Sequence, residues 1–135
     1  MSVKKRASRE LEEDQSGRFA YDGLDRVLHE KARLGIMTSL ATSQEPLVFG
    51  DLKQLCSLTD GNLNRHLQVL TEIGYVAVVK QGQGRGSQTL CQITAKGRRA
   101  FAEYLHELER VMQDAASAVE DRSTHRAIEI RPSKS

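Results

Sequence analysis

The chain has no tryptophan, and aromatic residues make up 4% of its 135 residues. Proteins that bind unpaired bases usually stack them on aromatic side chains, so this composition argues against an RNA-binding or single-strand-binding module. The two cysteines, Cys56 and Cys91, lie far apart, which favours free intracellular thiols over a disulfide framework. Met1–Gly17 lacks the apolar core of a signal peptide, and no run of about 18 apolar residues occurs. We therefore expect a cytoplasmic protein that does not enter a membrane.

Acidic residues are absent from Ile73 through Ala102. The same stretch contains five basic residues: Lys80, Arg85, Lys96, Arg98 and Arg99. The net charge of the whole chain is +2, which is too close to neutral to indicate a partner. The local imbalance is more informative, because a basic surface without acids attracts a polyanion.

Motifs that indicate catalysis or a cofactor are missing from the sequence. Gly82, Gly84 and Gly86 are not followed by the helix that a phosphate-binding glycine loop requires. The histidines and cysteines show no spacing typical of a zinc site, and no nucleophile–base pair can be assembled. We expect His66 to be half-buried beside a local partner rather than to bind a ligand. The sequence therefore predicts neither an enzyme nor a bound cofactor or metal ion.

The segment that begins at Thr59 carries the strongest structural signal and predicts a capped helix. Thr59 is a favourable residue for a helix start, and Gly74 is a favourable residue for a helix end. Between them, apolar residues recur at intervals of four, three and three, which predicts one buried helical face. The residues of this face are Leu63, Leu67, Leu70 and Ile73.

A β-hairpin is predicted directly after this helix. Tyr75–Val79 and Thr89–Ile93 are rich in β-forming residues and flank a glycine-rich tip at residues 82–86. A short helix at Gly50–Cys56 precedes the Thr59 helix, and the apolar pattern of Asp22–Ser43 predicts two earlier helices or one kinked helix. The predicted fold is therefore mainly α-helical with a small β-hairpin (α+β), a winged helix-turn-helix.

The exposed face of the Thr59 helix and the hairpin, or wing, provide candidate contacts for double-stranded DNA. Arginine, asparagine and glutamine can pair with base edges in the major groove, and a basic wing can contact phosphates. The candidates on the helix are Thr59, Gly61, Asn62, Asn64, Arg65 and Gln68. The candidates on the wing are Lys80, Gln83 and Arg85.

A long final helix opens at Thr94 and carries an apolar stripe longer than a single small domain needs. We expect this stripe to pair with the first helix of a second copy around a two-fold axis, as a dimerisation helix. The predicted dimer interface contains Leu24, Val27, Leu28, Phe101, Leu105, Leu108 and Met112.

The chain is predicted to consist of three parts. Residues 1–17 are highly charged and are expected to form a disordered arm, because they contain too few apolar residues to pack. Residues 18–120 form the winged helix-turn-helix domain with its dimerisation helices, including a short β-like run at Leu47–Phe49. Residues 121–135 are polar and are expected to form a disordered tail.

Three segments resemble the winged-helix transcriptional regulators of the MarR/ArsR type in bacteria and archaea: LHEKARLGIMTSL, FGDLKQLCSLTDGNLNRHLQVLTEIGYV and CQITAKGRRAFAEYL. The resemblance covers about residues 24–112 and includes a Leu-Thr-x-Gly-Asn-Leu-x-x-His-Leu segment. It implies a homodimer that binds a pseudo-palindromic operator. It also implies that Asn62, Asn64 and Arg65 contact DNA, that Arg85 lies at the wing tip, and that His66 borders the DNA-contacting surface.

The chain differs at two places from the regulators that it resembles. Residues 49–52 lack the Cys-x-Cys pair of metal-sensing relatives, and Lys31 stands where a proline is common. The expected function is a sequence-specific transcriptional regulator, a dimeric repressor. Two alternatives stay open: a winged helix that binds a protein partner, and a sensor without a metal site that responds to an unidentified small-molecule effector.

Overall fold

The computed structural model describes the backbone of residues 15–133 and the side chains of residues 15–121. The predicted arm at residues 1–17 lies almost wholly outside this range. Two compact units are present: one comprises Leu24–His106, and the other joins the preceding chain to the chain from Glu107 onward. In chain order, the elements are α1 (Lys31–Thr42), β1 (Leu47–Val48), α2 (Phe49–Cys56), α3 (Asp60–Ile73), β2 (Val76–Gln81), β3 (Gln88–Ile93) and α4 (Ala95–Ser133).

The first helix is shorter than the predicted range Asp22–Ser43, because residues 22–30 form turns. The prediction of a helix over this first part is therefore wrong. Asp25 supplies the physical reason, since its carboxylate accepts the backbone N–H of Val27 at 2.7 Å and that of Leu28 at 3.4 Å. An aspartate that binds the backbone two residues further on stabilises a turn in competition with a helix.

The predicted helix-turn-helix consists of α2 and α3. The Thr59 hydroxyl accepts the N–H of Asn62 at 3.2 Å and so caps α3. Gly74 ends α3 with a φ of 88°, as predicted from its freedom to adopt the left-handed conformation. Ser57 also adopts this conformation, with a φ of 52°, and turns the chain sharply between the two helices. The buried residues of α3 are Leu63, His66, Leu67 and Leu70.

The predicted hairpin belongs to a three-stranded antiparallel sheet in the order β1-β3-β2. β2 and β3 pair along their full length. Leu47 and Val48 form the third strand, opposite Cys91 and Leu90 respectively. Towards the tip, where Lys80 pairs with Thr89 and Gln81 with Gln88, the wing consists of β2 and β3 alone. Gly82 turns the tip with a φ of 89°. The short β-like run seen in the sequence therefore supports the base of the wing.

α3, β2 and α4 meet at a closely packed junction. Thr94 donates its backbone N–H to the Tyr75 carbonyl at 3.0 Å and its hydroxyl to the Gly74 carbonyl at 2.6 Å. The same hydroxyl oxygen accepts the N–H of Gly97 at 2.9 Å and so caps α4. These bonds fix the end of α3 to the beginning of α4.

Tyr75 links this junction to the turns before α1. Its ring is buried, and its hydroxyl donates a 2.5 Å hydrogen bond to the Asp25 carboxylate. Burial and this hydrogen bond raise the pKa of Tyr75 to about 12. The neutral hydroxyl therefore stabilises the folded domain.

In the other unit, the chain before Leu24 packs on one face of α4. Tyr21 donates a hydrogen bond to Asp114 at 2.7 Å, and the Arg110 guanidinium lies 5.3 Å from the centre of the Tyr21 ring. The backbone N–H of Gly23 donates to Glu107 at 2.8 Å. Since Glu107, Arg110 and Asp114 follow at intervals of three and four, one helical face holds the segment.

The backbone of α4 is helical to Ser133 and so includes most of residues 121–135, which were predicted to form a disordered tail. The side chains after Asp121 lie outside the described residues. The division into an arm, a domain and a tail stays a prediction.

Gly97→Ala is expected to lower the free energy of unfolding by about 1–3 kcal/mol, the usual cost of overpacking. A Cβ at Gly97 would lie 2.1 Å from the Tyr75 carbonyl oxygen, so the junction would have to open. Gly50→Ala is the matched control, because a Cβ at this position in α2 meets no atom within 4 Å. Urea unfolding followed by circular dichroism measures the free energy of unfolding of both variants. Equal values for Gly97→Ala and Gly50→Ala would contradict the packing described.

Tyr75→Phe tests the hydrogen bond to Asp25 through its pH dependence. The pKa of Tyr75 in the folded state is raised from 10.0 to about 12. The contribution of its hydroxyl to the free energy of unfolding is therefore complete below pH 10 and is lost as the pH rises towards 12. The wild type should therefore be more stable than Tyr75→Phe at neutral pH, and the difference should narrow across that window. Unfolding curves at several pH values check this, and a difference that stays constant would contradict it.

Candidate nucleic-acid interface

α3 presents a polar face opposite its buried leucines. Asn62, Asn64 and Arg65 are exposed, and their side chains make no hydrogen bond or ion pair within the described part of the chain. The other three candidates on this segment are also exposed: Thr59, Gly61 and Gln68. Unpaired guanidinium and amide groups are suited to bind guanine and adenine edges in the major groove. All six residues are therefore accessible, and their contact with DNA stays a prediction.

Two acidic residues flank this polar face. At the start of α3, Asp60 forms an ion pair with Lys53 at 2.9 Å. Near its end, Arg65, Gln68 and Glu72 follow one another at intervals of three and four, and Glu72 accepts a 3.5 Å hydrogen bond from Gln68. A carboxylate can accept a hydrogen bond from cytosine but repels phosphate. The face of α3 therefore combines cationic, amide and carboxylate groups.

The wing carries its polar candidates on exposed positions. Lys80 lies on β2 opposite Thr89, and Gln83 and Arg85 lie at the tip, where Gly84–Gly86 forms a short 3₁₀ turn. The Lys80 and Arg85 side chains have no acidic partner within the described residues. They are therefore free to bind an anion such as a phosphate.

Beneath one edge of the polar face, α3 contacts the start of α1 through a charged cluster of Glu30, Arg33 and His66, here called the His66 cluster. His66 is 9% exposed. Its Nδ1 atom lies 3.2 Å from Glu30 Oε2 and 3.2 Å from Arg33 Nη1. His66 therefore has side-chain partners, as predicted, but it is buried rather than half-buried, and the partners are distant in sequence rather than local. Glu30 and Arg33 were not among the predicted site residues, because no local pattern connects them to α3.

An apolar cavity of about 350 Å³ lies between α1 and the first turns of α4. Thr38, Ala41, Thr42, Ile93, Arg98, Phe101, Ala102 and Leu105 line it. The alternative of a ligand-responsive sensor stays a prediction. The two cysteines are elsewhere and free: Cys91 is buried, which raises the pKa of its thiol, and Cys56 is half-buried 3.6 Å from the Ser39 hydroxyl.

The predicted dimer-interface residues differ in their exposure to solvent. Leu28 has no exposed surface and Phe101 is 6% exposed, so both belong to the core of their own unit. The prediction that Leu28 faces a partner conflicts with this burial. Leu105 and Met112 are 44% and 60% exposed. The half-buried residues of the set are Leu24, Val27 and Leu108.

A helix-turn-helix followed by a two-stranded wing and a long helix defines the winged-helix class of transcriptional regulators. The family model described as winged helix DNA-binding domain matches residues 32–112. The chain therefore belongs to this family. The matched residues include α3, the wing and the first turns of α4.

Relatives and solved structures agree with this assignment. The chain is 36% identical over 83 residues to the uncharacterized protein MJ0432 of Methanocaldococcus jannaschii, and the match covers 62% of this chain and 89% of that protein. A transcriptional regulator homologue from Pyrococcus horikoshii OT3 shares 30% identity with a TM-score of 0.62, over 67% of this chain and 88% of its own. Sco3205, a MarR family transcriptional regulator from Streptomyces coelicolor solved in complex with DNA, has the same fold. Its TM-score is 0.54 at 17% identity, over 98% of this chain and 91% of its own.

Residues 15–121 contain no group of three or more histidine, cysteine, aspartate or glutamate side chains placed to hold a metal ion. No helix in that part of the chain is both long and apolar enough to cross a membrane. The family and the structural neighbours are transcriptional regulators rather than enzymes.

Proposed function

We propose that the protein is a dimeric, sequence-specific regulator that binds double-stranded DNA and represses transcription by occupying a promoter. The observation that carries this proposal is the exposed polar face of α3 beside a wing whose cations are unpaired. α3 would enter the major groove, with base readout by Asn62, Asn64 and Arg65. Lys80 and Arg85 would contact phosphates. The Sco3205 complex supports the proposal by showing that this fold binds DNA in another protein.

Dimerisation is supported by the apolar residues of α4. From Phe101 onward they recur at intervals of four, three, four, three and four: Phe101, Leu105, Leu108, Met112, Ala115 and Val119. Two helices with this mean spacing of 3.5 residues can pack along a common seam. Met112 and Val119 are 60% and 62% exposed, so this later part of the seam is left uncovered within the described structure, whereas Phe101 is buried in its own unit.

A dimer would also explain how a small domain achieves specificity. Symmetric pairing would place two copies of α3 roughly 34 Å apart, about one turn of DNA, and each would read one half of a pseudo-palindrome. Repression follows from occupancy alone, because a bound dimer excludes other proteins from its site. This role is part of the proposal, as is the identity of the contacting residues.

Arg65→Ala and Arg85→Ala are expected to weaken DNA binding in different ways. Loss of a base contact by Arg65→Ala should cost about 1–3 kcal/mol on the preferred duplex and relax specificity. Loss of a phosphate contact by Arg85→Ala should weaken binding to all duplexes similarly and reduce the salt slope by about one. Fluorescence anisotropy with a duplex selected from a random library, and with its scrambled version, measures both effects.

Arg99→Ala is the matched control for these variants, because it removes an exposed arginine outside α3 and the wing. It should retain the specificity of the wild type. If Arg65→Ala and Arg85→Ala bind both duplexes as the wild type does, the proposed interface is wrong.

Met112→Glu is expected to convert the dimer to monomers, because it places a charge in the apolar seam. Gln113→Glu introduces the same charge at the next exposed position, which lies off the seam, and should leave the dimer intact. Analytical ultracentrifugation gives the mass of each variant. A dimeric Met112→Glu variant, or a monomeric wild type, would contradict the proposed seam.

A winged helix that binds an acidic protein is the competing function. Binding to a protein without affinity for any duplex at low salt would favour it over DNA recognition. The amide-rich face of α3 favours DNA instead, because amides supply base-edge hydrogen bonds that an acidic protein surface does not require.

A further inference from the structure

We propose that the His66 cluster couples DNA binding to the uptake of a proton, so that the regulator binds DNA more tightly as the pH falls. This inference rests on the proposed DNA binding by α3. The cluster is not among the predicted base or phosphate contacts. It lies under the edge of α3 and makes His66 a positioning residue with a titratable side chain.

The first observation is an unsatisfied acceptor. Glu30 Oε1 accepts the N–H of Ala32, but Glu30 Oε2 is buried and accepts no hydrogen bond within the described residues. Oε2 nevertheless lies 3.2 Å from His66 Nδ1 and 3.3 Å from Arg33 Nη1. Both nitrogens are within ion-pair distance of this oxygen, but neither forms a hydrogen bond with it in this geometry. A buried acceptor without a donor is costly, so the cluster would gain from a proton placed on Nδ1.

The second observation is that His66 Nδ1 faces a donor and an acceptor at once. Arg33 Nη1 and Glu30 Oε2 are both 3.2 Å away. An unprotonated Nδ1 can accept the Arg33 hydrogen, which leaves Glu30 Oε2 unsatisfied. A protonated Nδ1 can donate to Oε2 once the imidazole ring turns towards this oxygen, and Arg33 is then released from His66. Arg33 is held independently, because its Nε donates to the Val27 carbonyl at 2.6 Å.

The cluster therefore has two hydrogen-bonding arrangements that differ by one charge. With neutral His66, the charges of Glu30 and Arg33 cancel. With protonated His66, the cluster has a net charge of +1. Histidine is the side chain whose charge ordinarily changes between about pH 5 and 8.

The third observation is the position of the cluster. His66 directly follows Arg65 in α3, and both line one cavity of about 420 Å³ together with Glu30, Arg33 and Val69. The charged groups that face this cavity from the turn before α1, from α1 and from α3 are thus Glu30, Arg33 and Arg65. DNA bound by the exposed face of α3 would bring phosphates towards His66, and charges interact over about one Debye length (roughly 8–10 Å).

The sign of the coupling follows from linkage. A polyanion stabilises the more positive form of the cluster, so DNA binding favours protonation of His66. By reciprocity, protonation raises the DNA affinity by the same factor. If each protomer takes up one proton, the association constant falls by up to about tenfold per protomer for each unit rise in pH.

The test is a series of anisotropy titrations at constant salt between about pH 5.5 and 8, using the selected duplex. The wild-type association constant should fall as the pH rises, and that of His66→Gln should change much less. His106→Gln is the matched control, because His106 is exposed on α4 outside the cluster, and it should behave like the wild type.

Glu30→Gln separates proton coupling from a purely structural role. It keeps the shape of the side chain but removes the carboxylate that stabilises the imidazolium, so the pH profile should move to lower pH. NMR titration of the His66 ring in the free protein should show the same move of its midpoint to lower pH in Glu30→Gln. In the wild type, saturating duplex should move the midpoint of this titration to higher pH. A structural role alone would weaken binding without moving either midpoint.

Failure of the proton coupling and failure of the proposed DNA binding give different results. If the wild type binds the duplex but shares its pH dependence with His66→Gln, proton coupling is wrong and the proposed DNA binding stands. If no duplex is bound at any pH, the proposed function is wrong, and the coupling fails with it.

Discussion

The junction of α3, β2 and α4 is the constraint on which the functional surfaces depend. Thr94 bonds to the carbonyls of Gly74 and Tyr75, and the absence of a side chain at Gly97 lets α4 approach the Tyr75 carbonyl. Lys96 adds a 2.8 Å hydrogen bond to the carbonyl of Ile73, the last residue of α3. Because these contacts join the end of α3 to the base of the wing and to α4, they set the relative placement of both proposed DNA-contacting elements.

α3 shows how one helix can serve three purposes. Its leucines pack in the core, its exposed face carries Arg65 and the asparagines, and its edge contributes His66 to a charged cluster. Only the exposed face requires accessible side chains, whereas the cluster requires partial exclusion from water. Since electrostatic interactions strengthen as water is excluded, the charges of this cluster interact more strongly with one another than charges on the exposed face do.

Much of this arrangement follows from local sequence, and the exceptions have physical reasons. The Thr59 cap, the Gly74 stop and the spacing of the leucines identify α3, because each acts within a few residues. The turns at 22–30 were predicted as helix, since apolar spacing does not reveal that Asp25 binds the backbone of Val27. The third strand and the contact between Glu30 and His66 depend on residues distant in sequence, and their chemistry becomes visible only in the folded chain.

In the proposed complex, two copies of α3 read the major groove of one duplex. Methylation of guanine N7 blocks major-groove contacts, so methylation interference on a duplex selected by the protein detects this mode of binding. Interference should fall in two symmetric clusters about 10 base pairs apart. Binding that is insensitive to N7 methylation, or interference confined to a single cluster, would contradict it.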